Sequence, residues 1–241
     1  MATISEIAPD VYRISTFIAE NNIQMNQFLI RDEEPVLWHT GHKYLFAEVR
    51  EAVAKLIDVS RLRWIGLSHF EPDECGSLNE WYHLAPSAEA FCSVVGARVN
   101  MTDFSSRKVR AMVHDETFAT GRYRFRFQST PHLPHGWDAG LIFEETNGTL
   151  FASDVLHQNG DVAPLTNSDV IEGAKENLVM TQSGPFKYYL PYTSKTEEQL
   201  NMLADLKPKT LAIMHGSSFN GDCAGTLRDF ARVIKEVTQA E

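Results

Sequence analysis

The sequence predicts an α+β fold in which two β-sheets pack face to face with helices outside them. Short segments typical of β-strands dominate the front of each half of the chain, and helical segments interleave later. Asn147 and Gly148 stand between two apolar runs, and such a pair is a strong signal for a tight β-hairpin. With 241 residues, 43% of them hydrophobic, the chain can bury a substantial core, and we expect one domain over residues 1–241.

In the first half, apolar runs separated by polar turns predict most of the strands. The turn at residues 31–35 joins two apolar runs as a hairpin. A helix follows, in which Phe46, Val49 and Val53 recur at helical spacing. Predicted strands cover residues 6–15, 27–30, 36–39, 64–68, 90–95 and 98–100, and predicted helices cover residues 44–57, 76–84 and 107–113.

The second half begins with a segment, residues 118–127, in which aromatic residues alternate with arginine. This period of two predicts a single half-buried strand whose arginines form a solvated face. Ser194 fits the N-cap of a later helix, with Glu197 as its capping-box partner. Further strands are predicted at residues 140–145, 149–153 and 210–214, and helices at residues 169–180, 194–206 and 224–237.

Charge and composition narrow the class of partner. A net charge of −10 argues against a nucleic-acid partner held through phosphates. We find neither a run of about 18 apolar residues nor a basic-then-apolar leader, so we expect a cytoplasmic protein with no membrane partner. The three cysteines, Cys75, Cys92 and Cys223, are widely spaced and predict neither a disulfide framework nor a thiolate metal site.

The most informative stretch runs from Trp64 to Leu78 and places an imidazole and three carboxylates directly after a predicted strand. His69, Glu71 and Asp73 are two residues apart, a spacing that aligns side chains in extended backbone but not on a helix. Pro72 disfavours the helical region for the residue before it, so we expect all three to point one way. Because converging carboxylates repel one another, a metal is the simplest species to hold them together.

Three more polar residues stand at the ends of predicted strands: His132, Asp154 and His215. Residues on loops at one edge of a rigid sheet are a common way to build a metal site from distant parts of a sequence. A single histidine or aspartate in such a position is more often structural. The joint pattern with the cluster at residues 69–74 therefore carries the prediction.

These residues resemble the metal-ligand series of the metallo-β-lactamase superfamily, over nearly the whole chain. Most hydrolases of that superfamily carry histidine at the position of Glu71. A glutamate there resembles the flavodiiron and oxygen-binding diiron branch. The resemblance implies an αββα sandwich with a non-haem diiron (Fe–Fe) site. It implies that His69, Glu71 and His132 hold one iron, that Asp73 and His215 hold the other, and that Asp154 bridges them.

The chain departs from that pattern in two residues. Glu74 stands where flavodiiron proteins usually have histidine, and it either binds the second iron, hydrogen-bonds a ligand histidine or is solvated. His135 stands where they usually have aspartate, and it either turns into the site or forms part of the pocket wall. His157 and Tyr192 are further candidates for lining the pocket.

A third departure concerns the electron donor. Flavodiiron proteins carry a flavodoxin-like domain with FMN after the diiron domain, whereas 26 residues follow His215 here. We therefore expect a stand-alone diiron domain with no FMN in this chain, dependent on an external reductant. A signalling protein or a second copy of the chain, as a homodimer, is a further candidate partner.

Three functions remain open: a diiron protein, a hydrolase, and a non-enzymatic module that signals to a partner through a ligand-linked shift. The first is a diiron protein that binds, senses or reduces dioxygen, or nitric oxide, as an oxidoreductase with no catalytic residues beyond the metal ligands. Oxygen and nitrogen donors without thiolate suit iron or manganese. The alternative is a hydrolase of the same fold, with two zinc or manganese ions acting on a lactone, thioester or phosphodiester.

Overall fold

Two seven-stranded β-sheets form the centre of the computed structural model, which describes residues 1–239. The first sheet contains β1 (Thr3–Ala8), β2 (Val11–Ile18), β3 (Ile23–Ile30), β4 (Val36–Trp38), β5 (Trp64–Gly66), β6 (Glu89–Ser93) and β7 (Arg110–Met112). The second contains β8 (Thr117–Ala119), β9 (Arg124–Ser129), β10 (Gly140–Glu144), β11 (Thr149–Ser153), β12 (Leu165–Thr166), β13 (Thr210–Ile213) and β14 (Ser218–Phe219).

The strand order explains why distant segments end near one another. In the first sheet the strands follow chain order, antiparallel from β1 to β4 and parallel from β4 to β7. In the second sheet β11 pairs in parallel with β13. Parallel neighbours end at the same edge of a sheet. The residues that follow β4, β5, β11 and β13 can therefore meet.

Three apolar layers hold the sandwich together. Side chains alternate between the two faces of a strand. In β3, Phe28 and Ile30 pack between the sheets with Trp38 and Phe151, while Leu29 packs on the outer face of the first sheet. A third cluster fills the space between the second sheet and its helices. Strands covered on both faces are buried along most of their length, as β10 and β11 are.

The helices lie on the two outer faces. The first sheet is accompanied by α1 (Phe46–Ala54), α2 (Pro72–Cys75), α3 (Leu78–Leu84) and α4 (Met101–Phe104), and the second by α5 (Ile171–Gln182), α6 (Thr196–Asp205) and α7 (Cys223–Thr238). Helix, sheet, sheet and helix follow one another in layers. The predicted αββα sandwich is therefore confirmed, as are the hairpins β3–β4 and β10–β11.

Several element predictions are wrong, and in each case a local or long-range contact decides. Residues 6–15 form parts of the β1–β2 hairpin, which turns at Asp10 with φ of 56°. The aromatic–arginine segment is two paired strands, β8 and β9, because Asp32 accepts hydrogen bonds from the hydroxyl of Thr120 and the amide of Tyr123 and fixes a turn between them.

Two further segments have a secondary structure different from the predicted one, and one helix is capped by a different residue. Residues 107–113 were predicted helical but contain β7, which forms through parallel pairing with β6. Residues 98–100, predicted as a strand, lie in a π-helical turn before α4. Helix α6 begins at Thr196 and its N-cap is Lys195, which makes no capping hydrogen bond with its side chain, so Ser194 is not its cap. Within residues 1–239, no helix combines the length and apolar character needed to span a membrane.

Candidate metal centre

The segment after β5 brings three of the predicted residues to the site. Glu71 has the extended backbone that Pro72 predicts, with φ of −138° and ψ of 156°. Pro72 then starts α2, since its fixed φ suits the first position of a helix. Asp73 consequently lies in a helical turn and not in the extended backbone that the spacing predicted. The turn directs Asp73 towards His215 instead of towards Glu71 and His69.

The first donor group consists of His69, Glu71 and His135, whose ligand atoms lie within 4.8 Å of one another. His135 Nε2 is 3.0 Å from Glu71 Oε1, and His69 Nε2 is 3.9 Å from Glu71 Oε2. Asp154 Oδ2 closes the group, 3.6 Å from His69 Nε2 and 3.7 Å from His135 Nε2. Two imidazoles and two carboxylates therefore face one point.

The second donor group lies on the other side of Asp154. His215 Nε2 is 3.2 Å from Asp154 Oδ1 and 3.4 Å from Asp73 Oδ2. His215 Nδ1 lies 2.9 Å from the carbonyl oxygen of Gln24 and donates to it, which leaves the lone pair on Nε2. Asp154 thus turns one carboxylate oxygen to each group, as a bridging ligand does.

Of the two histidines in the loop after β9, His135 turns into the site, one of the two positions that the sequence predicted for it, whereas His132 does not. The side chain of His132 is exposed, and the residue adopts a left-handed backbone with φ of 64°. Hydrogen bonds from His132 N to Gly136 O and from Leu133 N to Thr130 O tighten the loop around it. The ring of His135 packs edge-on against His69 with 4.4 Å between centroids. The loop therefore brings His135, and not the exposed His132, to the donor atoms of His69 and Glu71.

The carboxylates change the pKa values of the first donor group. Burial alone would lower the pKa of His69, but Glu74, Glu71 and Asp154 outweigh it and raise the pKa to about 10. Burial would raise the pKa of Glu71, but His135 and His69 lower it to about 2. The site without a metal therefore attracts positive charge, which protons supply until a cation replaces them.

The second group shows the same pattern. Burial opposes the charged forms of both Asp154 and His215. Their mutual attraction, strengthened for His215 by Asp73, nevertheless holds the pKa of Asp154 well below and that of His215 well above the usual range.

Buried atoms without hydrogen-bond partners are a further reason to expect that the site binds a pair of metal ions. Among residues 1–239, the buried atoms His69 Nε2 and Asp154 Oδ1 have no hydrogen-bond partner. Asp154 Oδ1 lies close to His215 Nε2 without the alignment of a hydrogen bond. Buried polar atoms are nearly always paired. Donor atoms that converge without pairing are the arrangement expected of ligands to a bound cation.

Glu74, His157 and Tyr192 have different locations. Glu74 is fully buried beneath the site, where it accepts a hydrogen bond from Ser68. The ring of His157 lies 4.5 Å from that of His215, and burial, followed by the charge of His215, lowers its pKa to about 3. Tyr192 lines a cleft beside the end of α7 with Thr238, and its role as a pocket residue stays a prediction.

Tyr189 also lies at the site, although the sequence pattern did not predict it. The hydroxyl of Tyr189 lies 3.1 Å from His157 Nδ1, and its ring packs 4.7 Å from that of His135. Burial and the charge of Asp154 keep the pKa of Tyr189 well above 10.

Comparison with known families decides the identity of the fold. The family described as "ODP family beta lactamase" matches residues 23–216, which include every donor residue described above. The chain belongs to this family. The flavodiiron branch suggested by Glu71 is supported by the relatives found.

Two curated relatives and one solved structure illustrate the similarity. The chain is 29% identical to the flavo-diiron protein FprA2 of Clostridium acetobutylicum over 140 residues, covering 57% of this chain and 35% of that protein. It is 24% identical to rubredoxin-oxygen oxidoreductase of Megalodesulfovibrio gigas over 202 residues, covering 81% and 49%. The flavodiiron protein of Giardia intestinalis superposes with a TM-score of 0.79 at 19% identity, covering 98% of this chain and 60% of that one.

The chain therefore spans between about a third and about half of the length of these curated relatives. The likeness to the solved structure supports the fold, the αββα sandwich of the metallo-β-lactamase type.

Proposed function

We propose that this chain is a diiron protein that binds or reduces dioxygen or nitric oxide with electrons from an external donor. One observation carries the proposal: Asp154 presents one oxygen to each of two donor groups built from imidazole and carboxylate. Such a set without thiolate suits iron. The whole chain then acts as one diiron domain.

In this proposal His69, Glu71 and His135 hold the first iron, and Asp73 and His215 hold the second. Asp154 holds both. When bound, the iron pair supplies electrons and binding positions for a small diatomic molecule.

The protein's own residues control access and hydrogen bonding. The side chain of Glu71 is 43% exposed, so the first position is reached from solvent on that side. Tyr189 keeps its phenolic proton because its pKa is high, and it can donate a hydrogen bond at the wall formed with His157 and His135. His157, with its low pKa, contributes a neutral ring.

The donor in this proposal is a separate small redox protein. The relative from M. gigas is named rubredoxin-oxygen oxidoreductase, a name that joins such a donor to oxygen as the acceptor. The same class of partner is proposed for this chain. A redox partner, and not a hydrolysable substrate, is what the proposed iron pair requires.

The test is metal analysis of protein purified without oxygen, followed by a visible spectrum on exposure to air. We expect two irons per chain and an absorption change that needs oxygen. His69→Ala and Glu71→Ala should each empty at least one position. Two zinc ions, no spectral response to oxygen and turnover of an ester would reject the proposal in favour of a hydrolase.

A further inference from the structure

Glu74 lies in α2 directly after the proposed ligand Asp73, yet its side chain points into the protein interior. Its exposed fraction is zero, as for the most buried apolar residues of the core. A carboxylate is costly to bury unless each oxygen has a partner. The partners of Glu74 therefore indicate its role.

Both oxygens of Glu74 accept hydrogen bonds from serines. Ser68 Oγ donates to Oε2 at 2.6 Å, and Ser153 Oγ donates to Oε1 at 2.9 Å. The two hydroxyl oxygens lie 2.9 Å apart. Ser68 directly precedes His69, and Ser153 directly precedes Asp154. One carboxylate thus joins two segments, one from each sheet, at the residues next to proposed ligands.

His39, at the end of β4, extends the same cluster to a third segment. Its Nε2 lies 2.5 Å from Glu74 Oε2, and its Nδ1 lies 3.1 Å from the sulfur of Met214, which directly precedes His215. His39 and Ser153 both adopt left-handed backbones, with φ of 69° and 50°. Residues other than glycine hold such conformations where the surrounding contacts enforce them.

The hydrogen-bond directions then set the proton on His69. A carboxylate only accepts, so Ser68 uses its one hydroxyl proton on Glu74. The contact of 2.9 Å between Ser68 Oγ and His69 Nδ1 must therefore be donated by the ring. With its proton on Nδ1, His69 presents the lone pair of Nε2, the atom that faces Glu71 and Asp154.

We propose that Glu74 is a positioning residue that orients His69 through Ser68 and ties the segments of Asp154 and His215 together, and that it does not bind a metal. This rests on the proposed metal centre. An oxygen of Glu74 lies within 4.8 Å of ligand atoms of His69 and Asp154, which is the geometric basis for a direct ligand. However, the His69 atom that lies 3.7 Å from Glu74 Oε1 is Nδ1, and both Glu74 oxygens already accept hydrogen bonds from serines.

The experiment compares Glu74→Gln with Glu144→Gln. Glu144 is equally buried but accepts backbone amides of Thr146 and Asn147 in the β10–β11 hairpin, so it controls for the loss of a buried carboxylate. We measure metal per chain, the iron dissociation constant by chelator competition, and the unfolding midpoint.

Glu74→Gln should keep two irons per chain and weaken iron binding by about 10- to 100-fold, the usual effect of removing a group that orients a ligand histidine. Glu144→Gln should lower the unfolding midpoint and leave the iron dissociation constant unchanged. Loss of one iron in Glu74→Gln would mean that Glu74 is a ligand. An unchanged dissociation constant would also overturn the proposal.

Ser68→Ala tests the same path without changing the buried acid. It should weaken iron binding to a similar degree, and the double variant with Glu74→Gln should lose no more affinity than the larger single change. Independent, multiplying losses would contradict a shared route through His69.

The metal content of the wild-type protein distinguishes failure of the proposed function from failure of the proposed role of Glu74. If it binds two zinc ions and no iron, the proposed function fails, and the same comparison is made by zinc titration. If it binds no metal, both fail.

Discussion

Asp154 is the residue that makes the proposed centre dinuclear. Its two oxygens lie 3.6 Å from His69 Nε2 and 3.2 Å from His215 Nε2, on opposite sides of one buried carboxylate. Within residues 1–239, His69 Nε2 and Asp154 Oδ1 have no hydrogen-bond partner. At the scale of single residues, the chemistry depends on which nitrogen or oxygen each side chain directs towards the proposed metal positions.

The first prediction concerns the two histidines of the loop after β9. His135→Ala should reduce the iron content by one per chain, because its Nε2 faces Glu71 and Asp154. His132→Ala is the matched control and should retain two irons, since its side chain is exposed. Iron analysis after identical anaerobic loading measures both. The opposite result would restore the sequence-based assignment.

The second prediction concerns pH. In the metal-free protein, neighbouring carboxylates raise the pKa of His69 to about 10, so at pH 7 the ring carries a proton that iron must displace. Iron affinity should therefore increase with pH up to about 10, by about tenfold per pH unit for each proton released. Iron titration in weakly buffered solution at pH 7 should acidify the sample. Binding without proton release would show that His69 is neutral before loading.

Strand β5 is the element on which the first donor group depends. It is three residues long and lies between β4 and β6, with His69 three residues beyond its end. A Cβ atom on Gly66 would lie 2.2 Å from the Trp38 ring and 2.6 Å from the Phe91 ring. The strand therefore requires glycine at its end for close packing between the sheets.

Gly66→Ala should destabilise the protein by about 1–3 kcal/mol, the usual range for overpacking a core, because the large rings must shift. Iron binding should weaken as well, since the same shift moves His69. Denaturant unfolding and chelator competition measure the two effects. Gly184→Ala is the control: its Cβ would meet nothing closer than 3.9 Å, and we expect little change. Equal stability of the two variants would contradict this packing account.

At the scale of the whole molecule, the proposed centre joins the two sheets. His69, Glu71 and Asp73 follow β5 of the first sheet, whereas His135, Asp154 and His215 follow strands of the second. A metal pair bound to both would stabilise the folded state, because the unfolded chain does not assemble the site.

Removing metal should therefore lower the unfolding temperature. At a free metal concentration 100 times the dissociation constant, binding contributes about 2.7 kcal/mol to the free energy of unfolding. Calorimetry with and without a chelator measures the difference. His69→Ala should unfold at a temperature that responds less to the chelator. A wild-type protein indifferent to chelation would show that no tightly bound metal links the sheets.

The sequence predicted the layers of this fold well and its short elements less well. Strong apolar runs and the Asn147-Gly148 turn act locally, so β10 and β11 were found with nearly correct ends. Strand β7 depends on pairing with β6, and the turn between β8 and β9 depends on Asp32, which is 88 residues from Thr120 in sequence. Contacts of that range leave no periodic pattern in the segment itself.

The sequence by itself determined which segments reach the proposed centre, because ligand-type residues directly after apolar strands are visible without coordinates. This pattern alone predicted that the proposed centre contains His69, Glu71, Asp154 and His215. Only the tertiary structure decided which side chain of each loop faces inward: His135 instead of His132, and Glu74 turned beneath the site. The reason is physical. Backbone dihedrals and hydrogen-bond partners drawn from other segments set the direction of a side chain, and residue type alone does not.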